Sequence, residues 1–93
     1  MYLEDDRKRG QVLTGAKQLA FKDVEMVRVI STGFSIQRCT VEANRLVALA
    51  ADVQREHDSR ESESNEMPVD VAAIIDEGRK AKELLYLIEK PIN

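Results

Sequence analysis

Cys39 and His57 are the two side chains whose chemistry suits catalysis, as a thiol nucleophile and an imidazole base. The chain contains one cysteine and one histidine, and eighteen positions separate them. Nucleophilic and acid–base catalysis both need the reactive group beside a partner that activates it. On one helix the two residues lie about 27 Å apart, at 1.5 Å rise per residue. We therefore predict no enzymatic activity, with Cys39 a buried apolar residue and His57 an ordinary residue at a helix end.

The sequence also lacks the residue patterns of a zinc site or a phosphate-binding loop. One cysteine and one histidine cannot complete the usual zinc-binding sets within one chain. Gly10 and Gly15 are not followed by the Gly-Lys-Ser/Thr sequence of a phosphate-binding loop. Adjacent carboxylates such as Asp76 and Glu77 diverge by about 100° around a helix, which predicts solvated surface. No cofactor and no metal are expected.

The overall charge argues against nucleic-acid coating. The formal net charge is −3, and the lysines and arginines form no basic face. No apolar run approaches the roughly 20 residues that span a bilayer, and the acidic first residues differ from a signal peptide. We expect a cytoplasmic protein that makes no membrane contact.

Two apolar stripes at helical spacing predict an antiparallel helical hairpin. The first stripe contains Ile36, Cys39, Ala43, Leu46, Ala50 and Val53. The second stripe contains Val71, Ile74, Gly78, Ala81, Leu85 and Ile88. They place helices at about 36–58 and 68–90, joined by an acidic, serine-rich polar loop at 59–67.

The segment before the hairpin is harder to interpret. Residues 23–32 favour a short helix that Asp23 caps and Gly33 ends, although several β-branched residues leave a strand as the alternative. Residues 1–22 are predicted to form a partly flexible N-terminal arm, with a helical turn or a short strand as options. The fold class is thus all-α, with a single helical domain at 23–93.

Self-association is predicted because a chain of 93 residues hides only about 60% of its unfolded surface. Gly78 costs its helix about 1 kcal/mol, which indicates close packing within the hairpin or between subunits. Several apolar residues lie outside the stripes, so we predict a homodimeric bundle or a protein-binding surface. The predicted interface residues are Leu49, Val53, Gly78, Leu84, Tyr86 and Leu87. Substituting aspartate for Leu84 or Leu87 should then break association.

A helix-turn-helix motif at residues 27–46 is the alternative function. A glycine turn precedes a second helix whose first side chains, Gln37 and Arg38, could contact bases. Val29 and Glu42 depart from this pattern, because such motifs usually have alanine and an apolar residue there. DNA binding therefore stays the second hypothesis, and nucleic acid is not the expected partner.

The step Phe34-Ser35-Ile36, with Ala43, Leu46 and residues 81–85, resembles a group of short pseudomonad proteins. The chain is also similar in size and character to the small helical antiactivators that bind LuxR-type quorum-sensing receptors. That resemblance implies a non-enzymatic inhibitor that occupies the dimerisation surface of a transcription factor. It identifies no contact residues.

Overall fold

The computed structural model describes residues 2–59 and 68–89, with side chains from residue 7 onward. These ranges contain four helices and no strand: α1 (Tyr2–Leu19), α2 (Val24–Ser31), α3 (Ile36–Ser59) and α4 (Val69–Glu89). The predicted all-α fold is confirmed, and the strand alternative for residues 23–32 is wrong. Of the predicted polar loop, only Ser59 is described, and it ends α3.

Helices α3 and α4 form the antiparallel hairpin, which is the largest contact between helices in the described chain. Gly78 of α4 lies directly against Ala50 of α3, and a Cβ on Gly78 would overlap the Cβ of Ala50. The same Cβ would lie 3.3 Å from the carbonyl oxygen of Leu46. Gly78 therefore serves close packing within the hairpin, not between subunits.

The N-terminal segment contains an 18-residue helix, α1, where the sequence indicated only a helical turn or a short strand. Val12 and Ala16, one helical turn apart, are buried, and α1 packs mainly against α4. Gly15 is buried against Leu87, so this glycine marks a close contact and does not interrupt the helix. The apolar residues of α1 are too few and too scattered to reveal its buried face before α4 is in place.

Short polar contacts fix the ends of α2 and α3. The carboxylate of Asp23 accepts a hydrogen bond from the Met26 N–H at 3.0 Å, which caps α2 as predicted. Gly33 follows α2 with a φ of +118°, a backbone conformation that favours glycine. The hydroxyl of Ser35 accepts from the Arg38 N–H at 3.1 Å and thus caps α3.

The hydrophobic core lies at one end of the hairpin, where α1 and α2 cover it. Its buried members include Val12, Met26, Cys39, Leu46, Ala81 and Leu84. Between residues 51 and 76, by contrast, no described side chain is fully buried. Among the described residues, the far half of the hairpin is therefore two helices thick, and its inner apolar side chains are partly exposed.

Ala20 ends α1 in the left-handed region, with a φ of 54°. Its N–H donates to the carbonyl of Ala16 at 3.2 Å, as in a left-handed helix cap. A side chain pays roughly 1–2 kcal/mol in this region, which glycine avoids at a smaller entropic cost. We expect Ala20→Gly to raise the free energy of unfolding by about 0.5–1 kcal/mol, measured by urea titration with circular dichroism.

The matched control is Ala48→Gly, at an exposed position inside α3. That change should lower the free energy of unfolding by about 1 kcal/mol, because glycine is a poor helix former. Equal losses for the two variants would contradict the proposed strain at Ala20.

Candidate protein-binding groove

A groove runs between α3 and α4 over the half of the hairpin that α1 and α2 leave uncovered. It consists of two hollows of about 230 and 240 Å³ that share Ile74. The helical residues that line this hairpin groove are Leu46, Leu49, Val53, Glu56, His57, Asp70, Val71, Ala73, Ile74 and Glu77. The α1–α2 connection closes one end with Lys22 and Asp23. From Leu46 to His57 the groove extends about 17 Å, or three helical turns.

Glu77 is the buried carboxylate of the hairpin groove, which corrects the prediction of solvated surface. Its side chain is 6% exposed. One oxygen, Oε1, accepts a hydrogen bond from the backbone N–H of Lys22. The other oxygen, Oε2, is buried and has no hydrogen-bond partner among the described residues. A buried carboxylate oxygen without a donor is costly, so a ligand that supplies one would be stabilised there.

Sequence reasoning missed Glu77 because the contact joins residues 55 positions apart. A neighbouring contact joins residues 60 positions apart, since the Lys80 ammonium donates to the Ala20 carbonyl at 3.3 Å. Together these bonds hold the α1–α2 connection on α4. The sequence feature that could have indicated this contact is the position of Glu77, immediately before Gly78 and on the side of α4 that faces α3.

His57 lies at the opposite end of the hairpin groove, in the last turn of α3. Its Nδ1 atom is buried and makes no hydrogen bond to any described residue. The carboxylate of Asp58 lies 3.9 Å away, which is an ion pair when the imidazole is protonated. His57 therefore lies at a helix end, as expected, and it also lines the hairpin groove.

Asp23 borders the groove beside Glu77, but its carboxylate already has partners. Partial burial alone would raise the pKa of Asp23, yet hydrogen bonds from the Met26 N–H and the Arg45 guanidinium outweigh burial and lower it. The Arg45 contact measures 2.9 Å. The Asp23 carboxylate therefore has hydrogen-bond partners, whereas Oε2 of Glu77 is buried without one among the described residues.

Cys39 is fully buried in the core, as predicted. Burial raises the pKa of its thiol to about 11, so the nucleophilic thiolate is scarce at neutral pH. Among the described residues, no group of three or more potential ligands is placed to hold a metal ion.

The structure divides the predicted interface residues among different environments. Leu49 is 41% exposed and lies with partly exposed Val53 in the hairpin groove. Leu84 is 0% exposed, so its assignment to a subunit interface is wrong. It faces the core because α1 covers this side of α4, and the sequence did not predict α1 as a helix.

Tyr86 and Leu87 border a different surface, a hollow of about 290 Å³ between α1 and α4. Tyr86 is 67% exposed. Leu87 is half-buried against Gly15, so it belongs largely to the chain's own packing. These two residues therefore do not share a surface with Leu49 and Val53.

The alternative DNA-contact residues, Gln37 and Arg38, both lie exposed in the first turn of α3. The neighbouring cation on this helix is already neutralised, because Arg45 pairs with Glu42 and with Asp23 at 2.9 Å each. Phosphate contacts require several available cations, so the local charges favour the hairpin groove over a DNA-binding surface.

Comparison with protein-family models, curated proteins and solved structures gives no match to this chain. The resemblance to quorum-sensing antiactivators accordingly stays a prediction. None of the helices in the described ranges has the length and apolar character needed to span a bilayer.

Proposed function

We propose that the protein is a non-enzymatic regulator that binds an amphipathic helix of another protein in the hairpin groove. The observation that carries this proposal is the apolar groove itself, three helical turns long and uncovered by α1 and α2. A transcription factor is the partner class that the resemblance to antiactivators implies. Binding would then inhibit it by occupying the helix that it needs for dimerisation.

The apolar lining of the groove supports recognition of an amphipathic helix. Apolar surface along the two antiparallel helices comes from Leu49, Val53 and Ile74. A helix that packed on this surface would continue the helical bundle beyond the part that α1 and α2 cover. Burial of these side chains supplies the main driving force for association. Glu77 and His57 place polar groups at the two ends of the groove, where they would orient the bound helix.

Charge favours a different protein over a second copy of this chain in the groove. Four carboxylates line the groove, against one ammonium from Lys22. They belong to Asp23, Glu56, Asp70 and Glu77. Packing two such grooves face to face would place carboxylates near carboxylates, which weakens self-association. The predicted homodimer remains a prediction and receives no support from this surface.

Photo-crosslinking in the native host tests the proposal. We expect benzoylphenylalanine at position 49 to capture a partner protein that the same group at position 41 does not capture. Val41 is a matched control because it is also on α3 and is 60% exposed, yet it is not part of the groove lining. Equal capture at both positions, or capture of second copies alone, would contradict the proposal.

The purified partner then permits a quantitative measurement. Leu49→Asp is expected to weaken binding by about tenfold or more, because a carboxylate would be desolvated against apolar side chains. Val41→Asp should leave the affinity unchanged, and both variants should keep the helical circular dichroism signal. If the partner is a transcription factor, the unmodified protein should also reduce its dimerisation, and Leu49→Asp should not.

A further inference from the structure

We infer that the hairpin groove selects a helix carrying a lysine or arginine whose side chain pairs with Oε2 of Glu77. This inference rests on the proposed function and adds the chemistry that the partner must present. The apolar groove by itself would accept many amphipathic helices. Glu77 restricts that choice to helices that place a cation at the end of the groove nearest the α1–α2 connection.

The unmet hydrogen-bonding capacity of Glu77 is the central observation. The side chain is more than nine-tenths buried, with Oε1 bonded to the Lys22 N–H and Oε2 unpartnered among the described residues. It lines the same hollow as Leu46, Leu49 and Ile74. A carboxylate held in apolar surroundings gains most from a donor that also carries positive charge.

Two cations of the chain near this carboxylate, on Lys80 and Arg45, have other partners. The Lys80 ammonium pairs with Asp76 at 3.1 Å and donates to the Ala20 carbonyl. The Arg45 guanidinium is held by Asp23 and Glu42. Lys22 serves Glu77 through its backbone N–H. The Lys22 ammonium also borders this hollow but makes no hydrogen bond to Oε2, so a cation of the bound partner can complete the site.

Lysine and arginine also suit the walls of the groove. Their alkyl stems pack on apolar surface while the charged head reaches a carboxylate. Exposed Leu49 on α3 and Ile74 on α4 supply that surface on the two sides of Glu77. A neutral donor such as glutamine could also bond to Oε2, but charge-assisted hydrogen bonds are stronger than neutral ones.

A yeast-display library of 18-residue amphipathic helices tests the inference, with fixed apolar positions and randomised polar positions. The full-length protein should enrich lysine or arginine several-fold at one polar position, and Glu77→Gln should abolish that enrichment. The amide oxygen of glutamine can still accept the Lys22 N–H, so this variant is expected to fold. Selected basic peptides should bind Glu77→Gln about tenfold more weakly.

Glu83→Gln is the matched control, because Glu83 is an exposed carboxylate on α4 outside the hairpin groove. It removes the same charge and should leave both enrichment and affinity unchanged. Peptides that Leu49→Asp weakens but that show no basic preference would overturn the inference and leave the proposed function standing. If Leu49→Asp weakens binding of none of the peptides, both proposals fail.

Discussion

Leu84→Asp is expected to unfold the protein instead of merely separating subunits. Leu84 is fully buried in the core that α1, α3 and α4 enclose, so the new carboxylate would have neither water nor a cation beside it. The milder Leu84→Ala should lower the free energy of unfolding by about 2–5 kcal/mol, because it leaves a cavity. Circular dichroism with urea titration measures both effects.

Leu49→Asp provides the control for this prediction, since it makes the same chemical change on a side chain that is 41% exposed. It should retain the helical signal and most of the stability. A folded Leu84→Asp variant that loses only self-association would contradict the core position of Leu84 and restore the interface predicted from the sequence.

Gly78→Ala is the second change for which we expect a large effect. Alanine favours a helix over glycine by about 1 kcal/mol, but its Cβ would overlap that of Ala50 and approach the Leu46 carbonyl. Neither neighbour can rotate away, so the two helices must separate along the hairpin. We expect a net loss of about 1–3 kcal/mol in the free energy of unfolding.

Gly10→Ala separates the packing effect from helix propensity. Gly10 lies inside α1, and a Cβ added there would meet nothing within 4 Å. This variant should therefore gain up to about 1 kcal/mol in urea denaturation. If both alanine variants stabilise the protein, the close approach of α3 and α4 at Gly78 is wrong.

The hairpin could be predicted from the sequence because its signals are local. Apolar residues repeat every three or four positions along both helices, and polar or helix-breaking residues surround them. The predicted boundaries of α2, α3 and α4 differ from the structure by at most one residue at each end. Asp23 and Gly33 mark helix ends through bonds and backbone angles that involve only near neighbours.

Helix α1 and the hairpin groove could not be predicted in the same way. Few residues of α1 are buried, so its sequence does not show which side of the helix faces the core. That side is defined by the contact with α4, where Leu87 packs against Gly15. Leu84 and Leu49 have similar apolar character in the sequence, yet one is buried in the core and the other lies in the groove. The difference arises because α1 covers only one half of α4.

By itself, the sequence determined the all-α class, the two long helices and the ends of the short helix α2, because helix periodicity and capping act over a few residues. It also indicated that Gly78 marks close packing. Only the tertiary structure decided that this packing lies within the hairpin, and that Glu77 is buried with one unpartnered oxygen. Both depend on contacts between residues far apart in the chain, which no local pattern encodes.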